Sequence, residues 1–174
     1  MRSLTLSLKF KGTRTYLQGG DIFNALEDFF SQSNAGYLSK LVFKSFARKQ
    51  IEVLMEKTCD EAKMHGHGIW KSTAGDNLNF WLRETDITVT ESYAFDEDLI
   101  LTNAIVSNEQ IILEKQNSYS TIENVIALTK KLNYALTPDV SGKWLFGQIN
   151  LRLKLSETWR TLGVVRTICV ANSF

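Results

Sequence analysis

The chain has 174 residues, with 20 Lys+Arg against 19 Asp+Glu, a formal net charge of +1, 44% hydrophobic and 22% charged residues. That length can bury a core without staples, and the ordinary composition excludes a disordered chain. The balanced charge gives no general electrostatic case for nucleic acid or an anionic membrane, and no run approaches the roughly twenty apolar residues of a membrane span.

The 2 cysteines, Cys59 and Cys169, form no CxxC pair and read as reduced, small apolar residues. The opening residues MRSLTLSLKFKG lack the apolar core and cleavage site of a secretory leader, so a cytoplasmic location is expected. Pro138 is the 1 proline, and no Pro/Gly/Ser-rich linker divides the sequence. One domain over residues 1–174 is expected, with a two-lobe pseudo-repeat of about 1–95 and 96–174 as the other arrangement.

In chain order, Leu4, Leu6, Leu8 and Phe10 alternate with Thr5, Ser7, Lys9 and Lys11, the pattern of a strand with one wet face. Gly19-Gly20 breaks that strand, and Asp21 is placed to cap a helix. Ile22, Ala25, Leu26, Phe29 and Phe30 form its apolar stripe, and Asn34 and Gly36 are stop signals. Between Tyr37 and Met64 two periods compete. YLSKLVFKSF is rich in strand formers, whereas Ile51, Leu54, Met55, Thr58 and Ala62 share a helical face, which predicts a helix over Arg48 to Lys63.

From His65 the strand period dominates, with breaks at Ala74–Asn77, Asp96–Asp98 and Ser107–Glu109. Closely spaced strands with short breaks predict an antiparallel meander. Ser120-Thr-Ile-Glu123 is a capping box opening a second helix, which Pro138 prevents from continuing. Ile149, Leu151, Leu153 and Leu155 then alternate as a half-buried strand, and Leu162 to Val170 reads as a closing, more apolar one. Ile22, Asn24 and Leu26 are echoed by Ile122, Asn124 and Ile126, a weak sign of internal duplication.

The fold class expected is therefore α+β: a largely antiparallel sheet packed around or against two to three helices. In layout, a helix of about a dozen residues followed by a long run of strands resembles hot-dog-like folds. That resemblance implies a greasy helix–sheet interface able to take an acyl chain.

Three residues stand out chemically. His65 and His67, the 2 histidines, flank Gly66; an extended H-x-H pair faces one way and can chelate a metal, but a third ligand would have to be Cys59, Asp60, Glu61 or a distant carboxylate. No metal and no cofactor are therefore expected, and the histidines are read first as a polar strand entrance. Asp21, His65 and His67 are the catalytic candidates, with Asp21 placed where a carboxylate can act as general base. No GxSxG elbow is present, and Gly19-Gly20-Asp21 lacks a nucleotide-loop spacing.

The function expected is a binding domain for an acyl or other apolar small molecule, or an acyl-processing enzyme. A non-catalytic interaction or homodimeric domain is the alternative. Single-stranded nucleic acid ranks last: Lys40, Lys44 and Arg48 would share a helical face, and Arg152 and Lys154 a strand face near Trp144, Phe146 and Trp159.

Overall fold

The computed structural model describes residues 3–57, 63–139 and 141–166. Cys59, Asp60, Glu61, Cys169 and the end of the expected last strand lie outside the described residues. The elements are β1 (Ser3–Leu6), β2 (Phe10–Lys11), α1 (Gly19–Ser31), β3 (Gly36–Phe43), β4 (Lys49–Leu54), β5 (Met64–Ser72), β6 (Asn77–Thr88) and β7 (Ser92–Tyr93). They continue as α2 (Glu97–Leu101), β8 (Ala104–Ser107), β9 (Gln110–Leu113), α3 (Thr121–Leu136), β10 (Gln148–Asn150) and β11 (Leu162–Val165). The protein is α+β, with a large antiparallel sheet and three helices, as the strand-rich pattern predicts. No helix among the described residues is long and apolar enough to cross a membrane.

The chain forms two compact units, Met1–Asp96 with Phe146–Leu155, and Glu97–Leu145 with Ser156–Phe174. The first unit contains a six-stranded sheet in the order β1-β4-β6-β5-β3-β10, antiparallel throughout. In this sheet, among the described residues, only β5 and β6 are joined as a hairpin, across the expected break at Ala74–Asn77, of which Asn77 already belongs to β6, with Gly75 at φ 99°. A short parallel pair, β2 with β7, forms separately.

Helix α1 buries Ile22, Leu26 and Phe30 of the expected stripe together with Phe23, while Ala25 and Phe29 are half-exposed. Phe30 meets Trp70 of β5 at 5.3 Å and Phe80 of β6 at 5.1 Å between ring centroids. Each such buried aromatic contributes about 1.5–3 kcal/mol. At the end of the helix the Glu27 carboxylate accepts the Leu38 amide at 2.6 Å, next to the bulge between Leu38 and Lys40.

The glycines of β5 make this packing feasible. Its residues alternate buried and half-exposed, and Met64, Gly66, Gly68 and Trp70 take the buried side. A Cβ at Gly68 would collide with the Phe80 ring and come within 2.6 Å of the Lys40 carbonyl oxygen. The Phe80 ring thus occupies the space that a side chain at Gly68 would need.

The second unit is smaller. β11, β9 and β8 form an antiparallel sheet, with Asn108 at φ 52° in the β8–β9 turn. Ile111 and Leu113 of β9 pack with Leu128 and Leu132 of α3. The capping box at Ser120 and Glu123 is present, and α3 stops before Pro138 as expected. Asn124 is fully buried and pairs its amide with Asn117 at 2.7 and 3.1 Å, whereas its echo Asn24 is half-exposed on α1.

Four expectations need correction. Residues 49–54 of the predicted Arg48–Lys63 helix are strand β4, because this segment lies between β1 and β6, which take up its backbone groups on both sides. The helical spacing there was incidental, and tertiary pairing overrode it. Arg48 therefore does not join Lys40 and Lys44 on a helix. Asp21 is not the N-cap: α1 begins two residues earlier, Gln18 is the cap residue without a side-chain bond, and Asp21 lies in the first turn. The turn expected at Asp96–Asp98 instead opens α2. Finally, the strand expected over Ile149–Leu155 is limited to Gln148–Asn150, and Leu153 is 78% exposed, since β10 pairs only with Lys40–Val42.

Gly68→Ala should cost about 1–3 kcal/mol through overpacking against Phe80. Gly147→Ala, where a Cβ meets nothing within 4 Å, should be near neutral. Thermal melting of the two variants beside the parent checks this contrast.

Candidate functional site

His65 is the extra residue at a bulge between β5 and β6, where Met64 pairs with Arg83 and Gly66 with Leu82. Bulges re-aim side chains. Here the imidazole runs between two partners from other segments. Its Nδ1 lies 2.8 Å from the Ser45 hydroxyl, in the β3–β4 connection, and its Nε2 lies 3.0 Å from Glu84 Oε2 on β6. The His65 and Glu84 side chains are 14% and 20% exposed, and Ser45 is exposed.

The ring's proton arrangement follows from the partners. An ionised carboxylate only accepts, so a proton on Nε2 faces Glu84. In the neutral ring Nδ1 is then the acceptor, and the Ser45 hydroxyl donates to it. Glu84 Oε2 is itself held, accepting the Arg48 amide at 3.1 Å. The Lys44 amide donates to the His65 carbonyl at 2.8 Å, fixing the connection against β5. A hydroxyl, an imidazole and a carboxylate therefore stand in one continuous line. Beside Ser45, Phe46 is 49% exposed and packs against Tyr16 at 4.5 Å between centroids.

His67 has different surroundings. In the ladder it lies between Val42 of β3 and Trp81 of β6. Its side chain makes no hydrogen bond or ion pair to any described residue. Burial holds its pKa below the ordinary 6.5, and the cations Lys40 and Lys44 push in the same direction.

Asp21 forms a third arrangement. Lys11 Nζ lies 2.8 Å from its Oδ1, and the Tyr93 hydroxyl donates to Oδ1 and Oδ2 at 2.9 and 3.0 Å. The Lys11 ammonium also lies over the Phe95 ring, 4.1 Å from its centroid. The Lys11 and Asp21 side chains are 5% and 13% exposed. This ion pair ties β2 and β7 to the first turn of α1, where negative charge also suits the helix dipole.

The three candidates from the sequence thus have separate partner sets, and both ring nitrogens of His65 are engaged. Among the described residues, no group of three or more His, Cys, Asp or Glu is placed to hold a metal ion. Compared with known proteins, the chain matches no family model, no curated protein and no solved structure.

Ser45, Glu84, Lys11 and Tyr93 are the residues that sequence reasoning missed. Ser45 lies 20 positions before His65, and Tyr93 lies 72 after Asp21, so no local spacing could flag either. For Glu84 a faint signal exists: it follows the clean alternation of Leu78 to Arg83 in a strand whose neighbours pack inward.

Two outcomes follow. Lys11→Ala leaves a largely buried carboxylate uncompensated and should cost about 3–5 kcal/mol. Lys11→Met/Asp21→Asn should recover much of that loss in denaturant titrations. For His67, the unfolded chain binds more protons between the lowered folded pKa and 6.5. Its contribution to stability is therefore fully present above 6.5, falls as pH drops through that window, and levels off below the folded value. His67→Gln should flatten that part of a stability profile measured from about pH 8 to about pH 5.

Proposed function

We propose that the larger unit is an acyl-processing domain that hydrolyses esters or thioesters of apolar acyl groups, with Ser45 as nucleophile. The observation that carries this reading is the Ser45–His65–Glu84 line, with bonds of 2.8 and 3.0 Å. The acyl chemistry agrees with what the hot-dog-like layout implies, and that layout is part of the same proposal. The exposed Phe46 and its partner Tyr16 offer an apolar surface beside the hydroxyl.

In the first step the Ser45 oxygen bonds to the substrate carbonyl carbon while His65 Nδ1 takes the hydroxyl proton. Glu84 stabilises the imidazolium that forms and holds the ring in place. Collapse of the tetrahedral adduct breaks the bond to the leaving alcohol or thiol, which receives the proton from His65. Water then attacks the acyl-serine with His65 again as base, releasing the carboxylic acid and restoring Ser45. Asp21 has a holding role under this reading and takes no proton from substrate.

The test is hydrolysis of p-nitrophenyl acetate and butyrate, with mass spectrometry after fluorophosphonate labelling. Ser45→Ala and His65→Asn should each lower kcat by about 10²–10⁴-fold, while Glu84→Gln lowers it less. The label should be found on Ser45. Turnover that is equal in the parent and Ser45→Ala proteins, together with no label on Ser45, rejects the proposal and leaves the three residues as a strap for the β3–β4 connection.

A further inference from the structure

The face of the six-stranded sheet that carries His67 holds a second set of groups that the hydrolytic line does not use. Register places Val42, His67 and Trp81 in one row across β3, β5 and β6, and Lys40, Ile69 and Asn79 in the next. Residues directly opposite in such a ladder have side chains about 4.5–5.5 Å apart at Cβ. Lys44 follows β3 directly, in the exposed bend that opens the β3–β4 connection, where its amide donates to the His65 carbonyl at 2.8 Å.

Lys9, Lys11, Lys49, Arg83 and Lys130 each have a carboxylate within 4.0 Å. Lys40 and Lys44 have none among the described residues, and both add to burial, the larger cause, in disfavouring protonation of His67. Lys40 and His67 thus lie in adjacent rows of one sheet, with Lys44 just past the end of β3, and the side chains of all three lack a carboxylate partner among the described residues. On β6 beside them, Trp81 is half-exposed, and the exposed amides of Asn77 and Asn79 make no side-chain hydrogen bond to any described residue. A half-exposed indole can stack a planar base, and a free carboxamide can read a base edge.

We infer that this face binds a mononucleotide, with its phosphate on Lys40, Lys44 and His67 and its base on Trp81 and Asn79. A phosphate fits better than a carboxylate because a dianion with three free oxygens can engage both ammonium groups and the imidazole together. Its charge also reverses the local field, so that His67 gains a proton on binding. None of these residues belongs to the Ser45–His65–Glu84 line.

The experiment titrates the full chain with AMP, inorganic phosphate and an oligodeoxythymidylate, following tryptophan fluorescence and the His67 ring resonances by NMR. AMP should quench fluorescence saturably and move the His67 titration midpoint upward, and inorganic phosphate should compete more weakly. Lys40→Gln/Lys44→Gln should weaken AMP binding by about tenfold or more, while Trp81→Leu should remove the quench and the preference for AMP over phosphate. Ser45→Ala should bind AMP like the parent. No saturable response to AMP, equal affinity for AMP and inorganic phosphate, AMP binding unchanged in Lys40→Gln/Lys44→Gln, or an oligonucleotide bound more tightly than AMP would each overturn the assignment. Circular dichroism of the two variants separates lost binding from lost folding.

Discussion

The larger unit depends on a side chain that is missing. Gly68 faces the helix side of the sheet directly opposite Phe80, and the Phe80 ring lies across it. Phe30 of α1 then rests on Phe80 and on Trp70, two residues further along β5. Any side chain at Gly68 would push the Phe80 ring out of the layer on which the helix lies. Because strand side chains alternate, small residues on the buried side put the intervening residues on the other side. The HGHG stretch thus serves packing and presentation together: its glycines close the core, and its histidines are displayed as a consequence.

The two histidines nevertheless acquire different chemistry. His65 stands at a bulge and is captured by a hydroxyl and a carboxylate. His67 stands in regular ladder between an aliphatic and an aromatic neighbour, with cations nearby. One extra residue in the pairing between β5 and β6 separates a ring held through both nitrogens from one whose pKa is lowered by burial and nearby cations. Neighbours thus set the role of each imidazole, and the motif does not.

The buried polar groups of this unit are used as fasteners. Gln50 on β4 bonds both the amide and the carbonyl of Leu8 at 2.8 Å, continuing the β1 edge where main-chain pairing has stopped. Lys11 and Asp21 do the same for β2 and α1, with Tyr93 bringing in β7. A charged pair of this kind adds little net stability over an apolar pair, but it penalises every arrangement in which one partner is buried alone. Such fasteners suit short strands, which offer too few ladder bonds to define their own position.

The sequence by itself determined the features that depend on near neighbours. The α1 stripe from Ile22 to Phe30, the capping box at Ser120 and Glu123, the stop before Pro138 and the turns around Gly75 and Asn108 are all local, and all are present. An α+β fold with a large antiparallel sheet followed from the same periodicities. Tertiary structure alone decided whether residues 49–54 would be helix or strand, because Ile51 meets Val53 at strand spacing and Leu54 at helical spacing, and only pairing with β1 and β6 distinguishes the two. It also decided that β10 would end at Asn150, and that Asp21 would meet Lys11 instead of capping its helix. The candidate site was legible only in its histidines. Ser45 and Glu84 reach His65 through a loop and a second strand, and contacts closed over such distances leave no periodic trace in the order of residues.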